Sequence, residues 1–451
     1  MLSPSTETTL RTHVRRTVVL AWPMILTRVG LVLMTTVDVV VLGRAEAGEL
    51  AAYVLGYTIY DSMLAVTVGL LLGVPVLTAR ETGAGRIRAA GRVWRRGLVF
   101  GLALGLVLAV LLQFGGALFR LTGQEPDLTA RAASVTAILG LALPGLATYY
   151  VSAAFLEALH RPFTGFVAVL IANAANLGLN VVLVFGWGPI PALGAVGVAI
   201  STAVTFALLA GALALYIRFA LPGRAGYGIG GPTAGDGPGP GGGEQARIGL
   251  ASGAAYLLEA GAFTAMTLLV GLIGGLALAA HGVLFQFLAL TFMVAYGLAG
   301  ATQVRVGNAW GRGDARGVAL AGWTGLGLAI LCTGTAAVVF ASLPVPLLRI
   351  FTDEPAVIAA AVPVFVWMVL ALVFDGGQTV MNNACRGLGD TWVPTALHFG
   401  SYWLVMVPAA WFFAFPLGQD LPGIYQGILA ASLVSFVVLA VRFRALTRAR
   451  T

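Results

Sequence analysis

Residues 17–42 read TVVLAWPMILTRVGLVLMTTVDVVVL, an apolar run in which only Arg28 and Asp38 carry charge. A helix rising ~1.5 Å per residue crosses bilayer hydrocarbon in roughly 20 such residues, so this stretch is long enough to span a membrane. Eleven more stretches read the same way, at about 49–78, 92–116, 131–155, 163–187, 192–219, 248–272, 277–303, 318–342, 356–383, 393–416 and 422–443. Strands of a membrane barrel would alternate apolar and polar residues over about ten positions. These runs are continuous and more than twice as long, so the expected fold is an all-α polytopic membrane protein with twelve spanning helices.

Composition agrees. The 451 residues are 59% hydrophobic and only 10% charged, with mean hydropathy +0.93, whereas a soluble domain carries about 25% charged residues. Sixty glycines without a three-residue period exclude collagen, and two cysteines, Cys332 and Cys385, exclude a disulfide framework or a cysteine-rich metal site. The net charge of +8 comes from arginines scattered between apolar segments, with no lysine at all. That distribution suits membrane topology and not a nucleic-acid face. With the N-terminus inside, 21 arginines fall on inner segments and four (Arg44, Arg120, Arg131, Arg349) on outer loops. The positive-inside rule then expects both termini in the cytoplasm. The polar segment up to Arg16 precedes an apolar run too long for a signal-peptide core, so it is expected to be retained.

The chain also resembles itself. FRLTGQEPDLTARAA from Phe119 parallels LRIFTDEPAVIAAAV from Leu348 at an offset of 229, and Gly83–Arg86 parallels Gly311–Asp314 at 228. Leu50–Tyr53 parallels Leu278–His281, again at 228. Between the copies lies a Gly/Pro-rich, polar segment typical of a linker. The expected organisation is an N-terminal lobe at 1–221, a cytoplasmic linker at 222–247 and a C-terminal lobe at 248–451. Six helices per copy preserve orientation, so the lobes are expected to be related by a pseudo-twofold axis along the membrane normal, an architecture that opens a cavity alternately to either side.

Ionisable groups at membrane depth cost several kcal/mol unless paired or wetted, which makes each a functional candidate. Asp38, Asp61, Glu259 and Asp375 fall well inside spans. Asp38 follows Pro23 on the first span; the proline removes a backbone hydrogen bond and offers a kink. Asp38 reads either as a coupling carboxylate or as a wetted residue near the outer interface. Asn176 and Asn180, with Asn173 nearby, share one face of the fifth span at i,i+4 spacing. Amide and carboxylate oxygens suit a hard cation such as Na⁺ or a hydrated proton relay, and the same amides also serve as hydrogen-bonding glue between helices. Glu259 lies on the seventh span, while Asp375, Gln378 and Asn382 form a polar stripe on the tenth that reads as a cavity wall. Arg28 either pairs with a neighbouring acid or snorkels, and Asp61 has no supporting pattern. Tyr53, Tyr57, Phe285, Phe287, Tyr296 and Trp367 either line a cation-accepting chamber or belong to packing and the interfacial belt.

In order and spacing, LAWPMILTRVGLVLMTTVDVVVLGR (20–44), LLLGVPVLTARETGAGR (70–86), GVAISTAV (197–204), YLLEAGAF (256–263) and FDGGQTVMNNACRGLGDTWVP (374–394) resemble the multidrug and toxic compound extrusion (MATE) family, NorM-like branch, of the MOP superfamily. The resemblance covers nearly the whole chain. It implies a cation-coupled antiporter that exports organic, cationic or amphipathic small molecules by alternating access. Asp38, Asn176, Asn180 and Thr202 would form the N-lobe cation-coupling site, with Pro23 as the helix kink. Glu259, Asp375, Gln378 and Asn382 would form a C-lobe site for a second cation or a cationic substrate. The coupling ion would be H⁺ or Na⁺, with no resident cofactor and no structural metal. The implied setting is a bacterial inner membrane, crossed by a monomer that contacts lipid and no nucleic acid. A lipid-linked oligosaccharide flippase of the same superfamily is the nearest alternative, but it would favour a more basic cavity. An intramembrane enzyme lacks support, because His13, His160, His281 and His398 are dispersed, and a continuous channel does not explain the repeat.

Overall fold

The computed structural model describes residues 10–44, 47–121, 125–229 and 240–448. Twelve helices in it are long and apolar enough to cross a membrane: α1 (Leu10–Leu42), α2 (Gly48–Gly83), α3 (Ile87–Leu112), α4 (Pro126–Ala158), α5 (Pro162–Phe185), α6 (Gly194–Ala220), α7 (Gly242–Ile273), α8 (Gly275–Gly311), α9 (Ala315–Ser342), α10 (Pro355–Gly387), α11 (Trp392–Ala414) and α12 (Asp420–Arg448). No strand occurs among the described residues. Each helix coincides with one of the expected spans: most run past it at one end, while α3, α5, α6 and α11 stop two to four residues short of it at the other. Hydropathy reports only the hydrocarbon portion, whereas a helix continues wherever its backbone bonds are satisfied. α7 thus begins inside the expected linker, where Glu244 sits in the first turn and suits the helix dipole. Its carboxylate pairs with Arg80 at 2.7 Å. Within that linker, residues 230–239 lie outside the described residues.

Local chemistry explains the interruptions. Pro126, Pro162 and Pro355 open α4, α5 and α10 at a position where a proline loses no helical hydrogen bond. α11 widens to a π-helical turn over Gly400–Met406. Pro408 has no N–H to offer the carbonyl one turn earlier, so bonding slips to the wider register there.

The repeat appears in the helix boundaries. α4 and α10 are both 33 residues long and start 229 residues apart. The described chain divides into two compact units, one of Leu26–Gly253 and one of Ala254–Thr451 together with the segment up to Ile25. The two crossing points, after Ile25 and after Gly253, are themselves 228 residues apart. α1 therefore gives its first turns to the unit built from the second half of the chain, and α7 gives its first turns to the other. In the first unit Gly73 lies so close to Gln245 that a Cβ would meet its carbonyl oxygen at 2.4 Å. In the second, Arg305 of α8 donates to the His13 carbonyl at 2.8 Å and to the Thr17 hydroxyl.

Each unit has its own apolar core. One contains Tyr53, Tyr60, Trp94, Tyr149 and Phe155; the other contains Phe287, Phe365, Met368, Tyr402 and Tyr425. Small residues set the helix spacing. On α12, Gly423 and Gly427 form a GxxxG pair, and a Cβ on either would come within 2.5 Å of the α11 backbone at Ala414 and Ala410. In lipid, where the hydrophobic effect does not drive helix association, such close backbone approach does. Overpacking of this kind costs about 1–3 kcal/mol. Gly427→Ala should lower the melting temperature in detergent, whereas Gly271→Ala, with open space around its Cβ, should leave it unchanged; circular dichroism or light-scattering melts check both.

Candidate functional site

Two buried polar clusters lie at membrane depth, one in each unit. In the first, α1, α2, α5 and α6 converge on Asp38, which is fully buried. Asn180 donates to its Oδ1 at 2.7 Å, and the Tyr53 and Thr202 hydroxyls donate to its Oδ2 at 3.2 and 3.3 Å. Asn180 also donates to Asn176 Oδ1 at 3.1 Å, and Asn176 donates to the Ser201 hydroxyl at 3.1 Å. The i,i+4 spacing on α5 makes this chain possible, because it stacks the two amides on one helix face. Asn173 points elsewhere and donates to the carbonyls of Gly30 and Val169. The α1–α5 approach at Gly30 is close enough that a Cβ there would meet Val169 at 2.8 Å. Asp61 remains exposed and outside the cluster.

In the second unit, the Tyr402 hydroxyl and Gln378 donate to Asp375 Oδ1 at 3.1 and 3.2 Å. Ser435 of α12 donates to Gln378 Oε1 at 3.4 Å. The Tyr402 ring stacks on His398 with centroids 4.2 Å apart. His398 Nε2 lies 3.4 Å from Glu259 Oε2, within ion-pair range. Glu259 and Asp375 thus approach the same stacked His–Tyr pair from α7 and α10. Asn382, the last residue of the stripe, does not join: its buried Oδ1 has no hydrogen-bond partner among the described residues. Neither Tyr402 nor His398 was a candidate from sequence. The available signal was their i,i+4 spacing in LHFGSYW, a histidine and a tyrosine on one face of an otherwise apolar span.

A further acid, the buried Glu157, escapes a hydropathy scan because it falls two residues beyond the expected end of the fourth span. It sits near the C-terminal end of α4 and accepts two hydrogen bonds from Arg28 Nη2, at 3.3 and 3.2 Å. The Arg28 guanidinium also lies 5.4 Å from the Tyr150 ring centroid. Arg28 pairs with a neighbouring acid, the first of the two options left open by sequence. The repeat preserves the place of this link and changes its chemistry. At an offset of 228–229, Tyr256 replaces Arg28 and Arg386 replaces Glu157, and the Arg386 guanidinium lies 5.7 Å from the Tyr256 centroid. Pro23 precedes this region inside a continuous helix, two residues before α1 passes from one unit to the other.

Twelve membrane-length helices built as a repeat, each unit setting carboxylates among polar side chains inside its spans, define a polytopic membrane transporter. A family model described as MatE matches the chain twice, over residues 23–183 and 251–412. The chain belongs to this family, the multidrug and toxic compound extrusion transporters. It is 38% identical to a probable multidrug resistance protein NorM of Caulobacter vibrioides, over 95% of this chain and 90% of that protein. It is 32% identical to one of Pseudomonas aeruginosa, over 94% and 88%. Among solved structures, it matches the outward-facing conformation of a multidrug resistance MATE family transporter at TM-score 0.89 and 18% identity, covering 97% of this chain and 96% of that one. It matches the eukaryotic MATE transporter AtDTX14 at TM-score 0.84 and 20% identity, with 98% of each covered.

Removing one partner of a buried ion pair strands the other charge and costs about 3–5 kcal/mol, whereas replacing both by apolar groups is close to neutral. Glu157→Gln should therefore lower the melting temperature strongly. The double substitution Arg28→Met with Glu157→Met should recover most of the loss, as measured by a double-mutant cycle of detergent melts.

Proposed function

We propose that the chain is a cation-coupled antiporter that exports organic, cationic or amphipathic molecules and uses H⁺ or Na⁺ as the coupling ion. The observation that carries this reading is the contrast between two buried acids in one unit. Glu157 is neutralised by an arginine, whereas the donors to Asp38 are an amide and two hydroxyls, all uncharged. In a buried carboxylate with only neutral donors, the negative charge of the ionised form is uncompensated at a place where that charge is costly. It gains most from a small cation. The surrounding oxygens of Asn176, Thr202 and Tyr53 supply hard ligands for Na⁺ or a route for H⁺.

Coupling follows from linkage. If a cation at Asp38 rearranges the contacts that hold α1, α2, α5 and α6 together, it changes the affinity of any substrate that depends on the same packing, and the substrate changes cation affinity by the same factor. Pro23 gives α1 a weakened hydrogen-bond ladder over which to adjust. In the second unit, Glu259 and Asp375 provide a second cation site or the counter-charge for a cationic substrate. Gln378 orients Asp375, and Asn382 supplies an uncommitted amide oxygen. This transporter would act as a monomer in a bacterial inner membrane, with the arginine-rich ends of its helices and both termini in the cytoplasm, and would perform no enzymatic chemistry. The charge asymmetry of the loops supports that orientation.

In proteoliposomes, dye efflux driven separately by a proton and a sodium gradient should respond to one of the two. Asp38→Asn should abolish that response, by more than ten-fold, in protein that still inserts and folds; normal efflux from that variant contradicts the proposal. Glu259→Gln and Asp375→Asn should each impair efflux, and unaltered transport in both removes the second-unit site from the mechanism.

A further inference from the structure

A crevice unrelated to either acid cluster opens at the arginine-rich end of the first unit. It encloses about 200 Å³ between α2, α3 and the first turns of α7, lined by Leu70, Leu71, Val74, Arg96, Phe100 and Gln245. Two of its polar atoms lack partners among the described residues: the Arg96 Nε donor and the Gln245 Oε1 acceptor. Arg96 spends Nη2 on the Pro240 carbonyl at 2.8 Å, and Gln245 spends its amide nitrogen on the Val93 carbonyl at 3.4 Å. Arg92 lies one turn from Arg96 on the same face of α3. The nearby acids are already committed, Glu244 to Arg80 and Glu81 to Arg86 at 2.6 Å.

The other end of the crevice is apolar and meets the lipid-facing side of α3. Phe100 both lines the crevice and is exposed, and Val99, Leu106, Val107 and Val110 continue an exposed apolar stripe along the helix. The repeat supplies an internal comparison. At an offset of 228, Gln245 corresponds to Thr17 and Leu77 to Arg305. In the second unit Arg305 donates to Thr17 and His13, so protein groups satisfy that position. In the first unit a leucine occupies the arginine's place, and Arg96 Nε and Gln245 Oε1 have no partner among the described residues.

We infer that this crevice binds the head group of an anionic, hydroxyl-bearing phospholipid such as phosphatidylglycerol. The phosphodiester accepts from Arg96, a head-group hydroxyl donates to Gln245 Oε1, and the acyl chains lie along the exposed apolar stripe of α3. The volume accommodates a phosphodiester and its polar substituent, and the tails have their own surface. Basic pockets between helices at the inner leaflet suit anionic head groups. Phosphatidylethanolamine also carries a donor, but its ammonium would sit beside Arg92 and Arg96, and it brings no net charge. A soluble phosphate monoester shares the anionic chemistry and lacks the tails.

Native mass spectrometry of the full chain in detergent, titrated with phosphatidylglycerol or phosphatidylethanolamine, tests this directly. The wild-type chain should retain one phosphatidylglycerol with at least ten-fold preference. Arg96→Gln, folded by gel filtration, should lose that preference ten-fold, about 1.4 kcal/mol, and Arg96→Lys should keep part of it. Glycerol 3-phosphate at equal concentration should not displace the lipid. Should Arg96→Gln aggregate, the lipid preference and the competition in the wild-type chain decide. Equal retention of the two lipids, undiminished retention by folded Arg96→Gln, or displacement by glycerol 3-phosphate, which would mark a free-anion site, each overturns the inference.

Discussion

A carboxylate removed from water must be neutralised, and in this chain the few acids at membrane depth meet that requirement in different ways. Glu157 takes a fixed arginine from α1. Asp38, ten residues further along the same helix as that arginine, receives uncharged donors only. The ion pair ties α1 to α4 firmly, because separating two buried charges is expensive. The Asp38 cluster binds α1 to α2, α5 and α6 through contacts whose strength depends on the charge of one carboxyl group. A helix with one rigid attachment and one charge-sensitive attachment can report ion occupancy as a change of packing.

The second unit solves the same problem with different residues. Its counterpart of the Arg28–Glu157 link is a guanidinium over a tyrosine ring. Its acids converge on a histidine stacked against a tyrosine and lie on α7 and α10, where the first unit has its acids on α1 and α4. The repeat has therefore kept helix lengths and crossing points while the polar chemistry diverged. That divergence is expected if backbone packing carries the fold and a few side chains carry the coupling. The GxxxG contact of α12 on α11 illustrates the first role: substituting either glycine would disturb spacing without touching a charge.

Much of this was legible in the chain. Twelve apolar runs in a 451-residue sequence leave few alternatives, and the offset of 228–229 announces the repeat. Asp38, Asn176 and Asn180 stood out because polarity is rare at their depth, and Thr202 entered through family resemblance; the four do meet in one cluster. Other parts were hidden for physical reasons. Tyr53 looks like any membrane aromatic until its hydroxyl is found on Asp38. Glu157 lies where hydropathy fades, and Tyr402 depends on the helical register around the π-helical turn of α11. The exchange of first turns by α1 and α7 is a tertiary fact with no local signature. Asn382 shows the converse: its position on the stripe is clear, yet it makes no bond to Asp375.

The central claim is that Asp38 holds the coupling cation and that substrate and cation oppose one another. The most direct measurement is cation release on substrate addition to the purified protein in weakly buffered detergent, followed with a pH indicator and, in parallel, with radioactive sodium. The account predicts that a transported dye expels protons or Na⁺ from the wild-type chain and that Asp38→Asn loses the Asp38-dependent part of that release. Equal release from wild type and Asp38→Asn, or dye binding without release of either ion, would contradict it.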